Sequence, residues 1–194
     1  AAALYGFVWH EFCDWYLEAA KPALQGKRDE GARDASRAVL WRVLHDALIL
    51  LHPFIPFVTE EIWHKLPGAD GSIMRAQFPA DRPAFGGGGP DPEAEDRMGL
   101  LIDVISAIRN VRGEMGIPPG MALEAVIHAV DAGARSTLEV HRETVVNLAR
   151  LKSLSVSAAP ERPRASATAV ARGVTIYVRL EGVIDFAREI ERLQ

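Results

Sequence analysis

Only one cysteine, Cys13, stands in the 194 residues. No disulfide can close within the chain, and no multi-cysteine zinc site can be built from it. Cysteine this sparse fits a reducing compartment, so the expected location is cytoplasmic. Long apolar runs are missing too. None approaches the roughly 20 residues that cross a bilayer, so no membrane partner is expected. No signal peptide is visible, and the first residue is alanine, so the chain reads as a piece of a longer protein. Positive charge is in deficit. The formal net charge is −4, the wrong sign for a nucleic-acid field spread over the whole surface. Any RNA contact must come from a local patch. Catalytic and metal-binding patterns are lacking as well. His10, His45, His52, His64, His128 and His141 are scattered, and no pair brackets a glutamate at the i,i+4 spacing of a helical zinc site. No metal ligand and no catalytic residue is assigned. The run Gly86-Gly87-Gly88-Gly89-Pro90 lacks the spacing and the terminal Lys-Ser/Thr of a phosphate-cradling loop, and reads as a flexible linker.

What is present is apolar content of 48%, enough for a core in one large domain or two small ones. The chain is organised around the stretch from Leu50 to Trp63. Pro53 lacks an N–H and clashes with the turn before it, so a helix arriving through Leu51 must stop or kink there. Pro56 is pre-set for a first helical turn, and Thr59 with Glu60 and Glu61 places hydroxyl and carboxylates near a helix start. Phe54, Ile55 and Phe57 between them predict a buried corner, and truncating Phe54 to alanine is expected to destabilise by roughly 3–5 kcal/mol.

Before the corner, Leu4 to Ala20 reads as an amphipathic helix with Leu4, Val8, Phe12, Trp15 and Ala19 on one stripe, widened by Tyr5, Trp9 and Tyr16. Glu11, Asp14 and Glu18 line another side and would repel phosphate. A second helix runs from about Ala32 to Leu51 with Leu40, Val43, Leu44, Ala47, Leu48 and Leu51 as its core face. The same line extended backwards reaches Arg37 and Arg33, which either snorkel at the rim or point out toward a phosphate. The third helix ends at Lys65-Leu66-Pro67-Gly68. With Ile62 one turn before Leu66, this end is either a simple cap or a flat apolar surface offered to a base.

After the linker, Glu93 to about Met115 predicts a fourth helix buried through Leu101, Val104, Ile105 and Ile108. Arg109 and Arg112 sit on neighbouring turns of it, either solvated or salt-bridged, or available to a phosphate or base edge. A strand over Leu123–Val130, a helix over about 132–150 and strands over 154–157 and 167–180 follow, with a hairpin loop at Ala159–Pro163. The fold class is therefore mainly α: a helical bundle over residues 1–85, then a small α+β subdomain over 93–182 with helices on one face of its sheet. Residues 183–194 read as a last, charged helix.

The stretch from Leu50 to Trp63 resembles the anticodon-binding domain of class I aminoacyl-tRNA synthetases specific for aliphatic amino acids, the valyl-tRNA synthetases most closely. Four further stretches agree in the family's order: Phe7–Glu18 with Lys21-Pro22, Gly71–Met74 with Phe78-Pro79, Ile108–Met115 with Pro118-Pro119-Gly120, and Gly173–Val178 with Leu180–Asp185. The resemblance implies a module that holds the anticodon stem-loop of a tRNA and reads chiefly the second and third anticodon bases. It implies a parent valine–tRNA ligase that uses ATP in a separate catalytic domain, with which this module makes an intramolecular contact, and a monomeric enzyme. It implies that residues 183–194 begin a coiled-coil arm, and that the anticodon loop docks at Ile62, Leu66 and Pro67. Arg33, Arg37, Arg109 and Arg112 are the expected phosphate anchors. The His-Ile-Gly-His-type motif of the family's ATP site is missing, and Lys152-Ser153-Leu154-Ser155 departs from the Lys-Met-Ser-Lys-Ser pattern at the second lysine. The piece itself is expected to need no cofactor and to be inactive alone. The alternatives are the equivalent domain of an isoleucyl- or leucyl-type enzyme, and a protein-interaction module whose docking, unlike RNA binding, would have no steep salt dependence.

Overall fold

The computed structural model describes residues 1–79, 90–159 and 162–182. The chain is mainly helical with one four-stranded mixed sheet, and divides into two compact units, Ala1–Gly89 and Pro90–Gln194. The four glycines of the expected linker, Gly86–Gly89, the expected coiled-coil start at 183–194 and two residues of the expected hairpin loop at Ala159–Pro163 lie outside the described residues.

The first unit opens with helix α1 (Ala2–Gly6), a π-helical stretch (Phe7–Leu17) and α2 (Glu18–Leu24), joined through residues that keep right-handed helical dihedrals. The expected stripe faces inward, with Phe12 buried and Leu4, Val8, Trp15 and Ala19 half-buried. Its expected widening is corrected: Tyr16 is half-buried, but Tyr5 and Trp9 are exposed and stack on each other, ring centroids 6.2 Å apart. Over Phe7–Leu17 hydrogen bonds from i to i+5 widen each turn. Pro22 sits where α2 would need an N–H to bond Glu18, just where the π stretch gives way. Helix α3 (Glu30–Leu51) starts at Asp29, whose side chain accepts from Ala32 N, and α4 (Pro56–Trp63) starts on Pro56. Leu48, Ile49, Trp63 and Ile73 form the core between them, with Leu44, Leu66, Ala69 and Ala76 packed around it.

The proline corner is not the buried apolar hub that its residues suggest. Phe54 is 58%, Ile55 45% and Phe57 90% exposed. Only Thr59 and Trp63, one turn apart on α4, face inward, which leaves Phe57 and Val58 on the outer sides of the helix. The corner is fixed by polar groups instead. Thr59 Oγ lies 2.9 Å from Ile55 O and 3.0 Å from Pro56 O, which can only accept, so the single hydroxyl proton goes to them. His52 Nδ1, 2.8 Å from the same oxygen, is therefore the donor to it. Glu60 then ties in the next segment, accepting from Ser72 Oγ at 3.1 Å and Ile73 N at 3.4 Å.

In the second unit α5 (Pro92–Glu114) is capped by Asp91, which accepts from Glu93 N and Ala94 N. Its inward face runs through Leu101, Val104, Ile105, Ile108 and Val111. Strand β1 (Leu123–His128) leads into α6 (Ala132–Val140) and α7 (Arg142–Ala149), then β2 (Leu151–Ser157), β3 (Ser166–Ala171) and β4 (Val174–Arg179). The sheet order is β2-β1-β4-β3, with β1 parallel to β2 and the other pairs antiparallel. Leu123, Ala125 and Ile127 of β1 and Val174, Ile176 and Val178 of β4 are buried, alternating with less buried neighbours. Two expectations are corrected here. The helix over 132–150 is two helices, broken at His141 (φ −101°, ψ 19°). The strand over 167–180 is a tight hairpin, because Arg172 (φ 43°) and Gly173 (φ 77°) both take left-handed conformations between the paired Ala171 and Val174.

Candidate nucleic-acid interface

The end of α4 is built on two tryptophans and a histidine. Trp63 is buried beneath it and donates from Nε1 to Gly71 O at 3.1 Å. His45 of α3 lies between Trp63 and Trp41, with ring centroids 4.8 Å and 4.7 Å away. Trp41 Nε1 donates to Pro67 O at 2.7 Å, across 26 residues of sequence. Beyond Trp63 the backbone tightens into successive three-residue turns, Lys65 N to Ile62 O, Leu66 N to Trp63 O and Ala69 N to Leu66 O. Gly68 supplies the positive φ of 77° that reverses the chain. Ile62 and Pro67 are exposed, while Leu66 is half-buried because one side of it packs on the core. The helix stops at Trp63, short of the expected end at Lys65–Gly68, so Ile62 lies in its last turn and Leu66 and Pro67 in the turn that follows.

His45 itself is buried and bonded sideways. Its Nδ1 lies 2.8 Å from Asp46 Oδ1, and Arg42 Nε lies 2.6 Å from Asp46 Oδ2. Burial pushes the Asp46 carboxyl up, but the hydrogen bonds and charges of Arg42 and His45 outweigh it and hold the group below its ordinary value. An ionised carboxylate only accepts, so His45 Nδ1 carries the proton.

The four arginines divide. Arg33, Arg37, Trp41 and His45 follow one another at four-residue steps along α3, so a line of side chains leads from the two cations to the indole that holds Pro67. Arg37 is 61% exposed and reaches Asp34 at only 3.8 Å. Arg33 is 31% exposed, pairs with Glu30 at 3.2 Å, and has a buried Nε with no hydrogen-bond partner among the described residues. Arg109 and Arg112, in the second unit, do have the structural duty that the sequence did not reveal. Arg109 gives Nε and Nη2 to Leu148 O. The buried Arg112 gives Nη1 to Pro118 O and Met121 O, and Nη2 to Ala149 O and Arg150 O. Burial, and next the charge of Arg150, lower its pKa from the ordinary arginine value. A guanidinium whose donors are spent on backbone carbonyls has little left for a phosphate.

Trp41 and His45 went unnoticed as parts of the site because their partners are distant in sequence. The available signal was the four-residue step onward from Arg37, which lands on both. Among the described residues, no group of three or more His, Cys, Asp or Glu could hold a metal ion, and no helix is long and apolar enough to cross a membrane.

A helix end that exposes apolar surface beside a line of arginines suits a single-stranded loop, whose bases demand flat contacts while its phosphates demand cations. Comparison with known proteins gives the class. A family profile described as "Anticodon-binding domain of tRNA ligase" matches residues 1–127. The chain belongs to that family. Among curated proteins it is similar to the valine–tRNA ligase of Nitratidesulfovibrio vulgaris, 43% identical over 194 residues that cover 100% of this chain and 21% of the relative. The valine–tRNA ligase of Syntrophotalea carbinolica is 42% identical over 201 residues, 100% of this chain and 21% of the relative. That of Geobacillus stearothermophilus is 39% identical over 191 residues, 98% and 21%. The chain thus spans 21% of the length of these curated relatives.

Proposed function

We propose that this chain is the anticodon-recognition region of a valine–tRNA ligase, working within a cytoplasmic, monomeric enzyme that activates valine with ATP elsewhere and attaches it to tRNA. The observation that carries the reading is the family match over residues 1–127 together with valine–tRNA ligases as relatives over the whole chain. The geometry supports a division of labour. Ile62, Leu66 and Pro67 form the surface on which the second and third anticodon bases lie, and the line of Arg37 and Arg33 along α3 sets the loop through its phosphates. Arg109 and Arg112 serve the second unit as clamps and are not needed as anchors. The exposed Phe54, Ile55, Phe57 and Val58 form an apolar surface of the kind that marks a docking site, and it fits the intramolecular contact expected with the catalytic domain.

The test is made in the full-length ligase, with a valine-tRNA transcript and an anticodon-swapped one. Leu66→Asp places a charge where a base would lie, so discrimination between the two RNAs falls. Arg37→Ala weakens both alike and makes the log–log salt slope shallower by about one phosphate contact. Discrimination untouched by Leu66→Asp would refute the assignment.

A further inference from the structure

We propose that Trp41 is a positioning residue for anticodon reading, acting through the Pro67 carbonyl; this rests on the reading that Ile62, Leu66 and Pro67 are the base surface. Residues 64–68 contain no regular helix; short-range turns, Gly68 and the packing of Leu66 on the core set their path, and none of these fixes the Pro67 end by a directional bond. A surface read by flat contact is useful only if its parts keep a fixed relation, since an apolar contact has no direction of its own. The packing of Leu66 gives the turn proximity to the body of the unit, and a directional bond must fix its orientation. Trp41 supplies that bond from α3. Its indole N–H donates to Pro67 O at 2.7 Å, and its ring is braced by His45, which is braced in turn by the buried Trp63 at the other end of the same segment. Both ends of the 63–67 segment are thus tied to one aromatic stack: Trp63 is part of it, and Pro67 hangs from it. Asp46 and Arg42 hold the central imidazole in orientation. Proline makes the arrangement one-sided. Pro67 has no N–H, so its carbonyl is the only backbone group there that a side chain can grip by hydrogen bonding.

The indole N–H is the element to remove. In the full-length ligase, Trp41→Phe keeps an aromatic ring against His45 and deletes the donor. Replacement of Trp41 by benzothienylalanine keeps the shape of the indole with sulfur in place of N–H, so it folds even if Trp41→Phe does not. The readouts are kcat/KM for aminoacylation of the valine-tRNA transcript and of the anticodon-swapped one, and valine-dependent ATP–pyrophosphate exchange, which needs no anticodon. Both replacements should reduce discrimination roughly three- to tenfold, the range that follows from one net hydrogen bond. The effect should appear in KM for the cognate RNA, with exchange unchanged. A merely structural role for Trp41 would lower both RNAs equally, or lower exchange as well, and either result overturns the proposal. Leu66→Asp is measured alongside. If it abolishes discrimination while the Trp41 replacements leave it intact, the positioning role is wrong and the base surface stands. If Leu66→Asp also leaves discrimination intact, the base surface itself is wrong and the proposal falls with it.

Discussion

Replacing Arg112 with methionine separates a structural clamp from a phosphate anchor. The guanidinium joins three segments of the second unit: the last turn of α5, the 118–121 turn through Pro118 O and Met121 O, and the α7–β2 junction through Ala149 O and Arg150 O. Methionine keeps much of the stem's packing and removes every donor. Hydrogen bonds from a charged donor contribute about 1.5–3 kcal/mol each. The four do not add in full. Arg150 O keeps a second donor in Leu123 N at 3.3 Å, and only the bond to Ala149 O lies wholly in the interior, so water can replace part of the remainder. About two bonds' worth, roughly 3–5 kcal/mol, is the expected loss. Arg109→Met, which frees one carbonyl at an exposed position, should cost about 1 kcal/mol. The assay must look at the second unit directly, because all four tryptophans, Trp9, Trp15, Trp41 and Trp63, are in the first. Amide hydrogen exchange of β1 and β2 in the full-length protein reports the opening free energy of the right element. A loss below about 1 kcal/mol, together with a salt slope of tRNA binding that becomes shallower by one contact, would refute the clamp and restore Arg112 as an anchor.

Two further outcomes are expected. Phe54→Ala removes an exposed side chain and should destabilise by less than about 1 kcal/mol in urea unfolding followed by tryptophan fluorescence, where a loss above about 3 kcal/mol would bring back the buried corner. Asp46, whose folded pKa is depressed by Arg42 and His45 against the effect of burial, contributes stability that is fully present above the unfolded carboxylate value of about 3.9 and is lost as pH falls through the folded one. The stability gap between the native protein and Asp46→Asn should therefore hold steady from neutral pH down to about pH 4 and shrink below it; a gap that stays constant to lower pH would show that the carboxylate's charge is not what matters.

The parts of the fold that were legible in sequence are those where burial follows a single period. Helices α3 and α5 carry Leu48 and Val104–Ile108 on faces that repeat at helical spacing, β1 alternates, and Pro53 and Pro56 announce the corner. A mainly α chain with a small sheet follows from these. What was not legible depended on partners far along the chain or on a changed period. The π stretch from Phe7 to Leu17, in which Trp9 is exposed, follows a hydrogen-bond spacing that residue type does not encode. The hairpin at Arg172-Gly173 had a readable signal in Gly173, masked by the β-prone residues on either side. Arg112 looked free because nothing in its neighbourhood shows that four carbonyls from two other segments converge on it. At the candidate site the surface residues Ile62, Leu66 and Pro67 could be named from a helix stop, but the residue that grips Pro67 could not, since Trp41 lies a whole helix away.

The corner between α3 and α4 inverts the usual relation of polarity and burial, and the inversion has a physical logic. Thr59 is 1% exposed while Phe57 is 90% exposed on the same helix. A buried hydroxyl is tolerable only when its hydrogen bonds are met, and here Ile55 O, Pro56 O and His52 meet them with directional contacts. Directional contacts fix geometry, whereas apolar contacts fix only proximity. The turn is therefore held by groups whose partners lie within the unit itself, and its phenylalanines are left uncommitted. The same economy appears at the far end of α4, where the indole N–H of Trp41 sets Pro67 while Ile62 remains exposed. In both places polar groups inside the unit define the shape and leave apolar groups exposed, at one end for the base contact proposed above and at the other for the proposed contact with a catalytic domain. A hydrophobic core at the corner would have stabilised the isolated unit more, but it would have consumed the surface on which both proposed contacts depend.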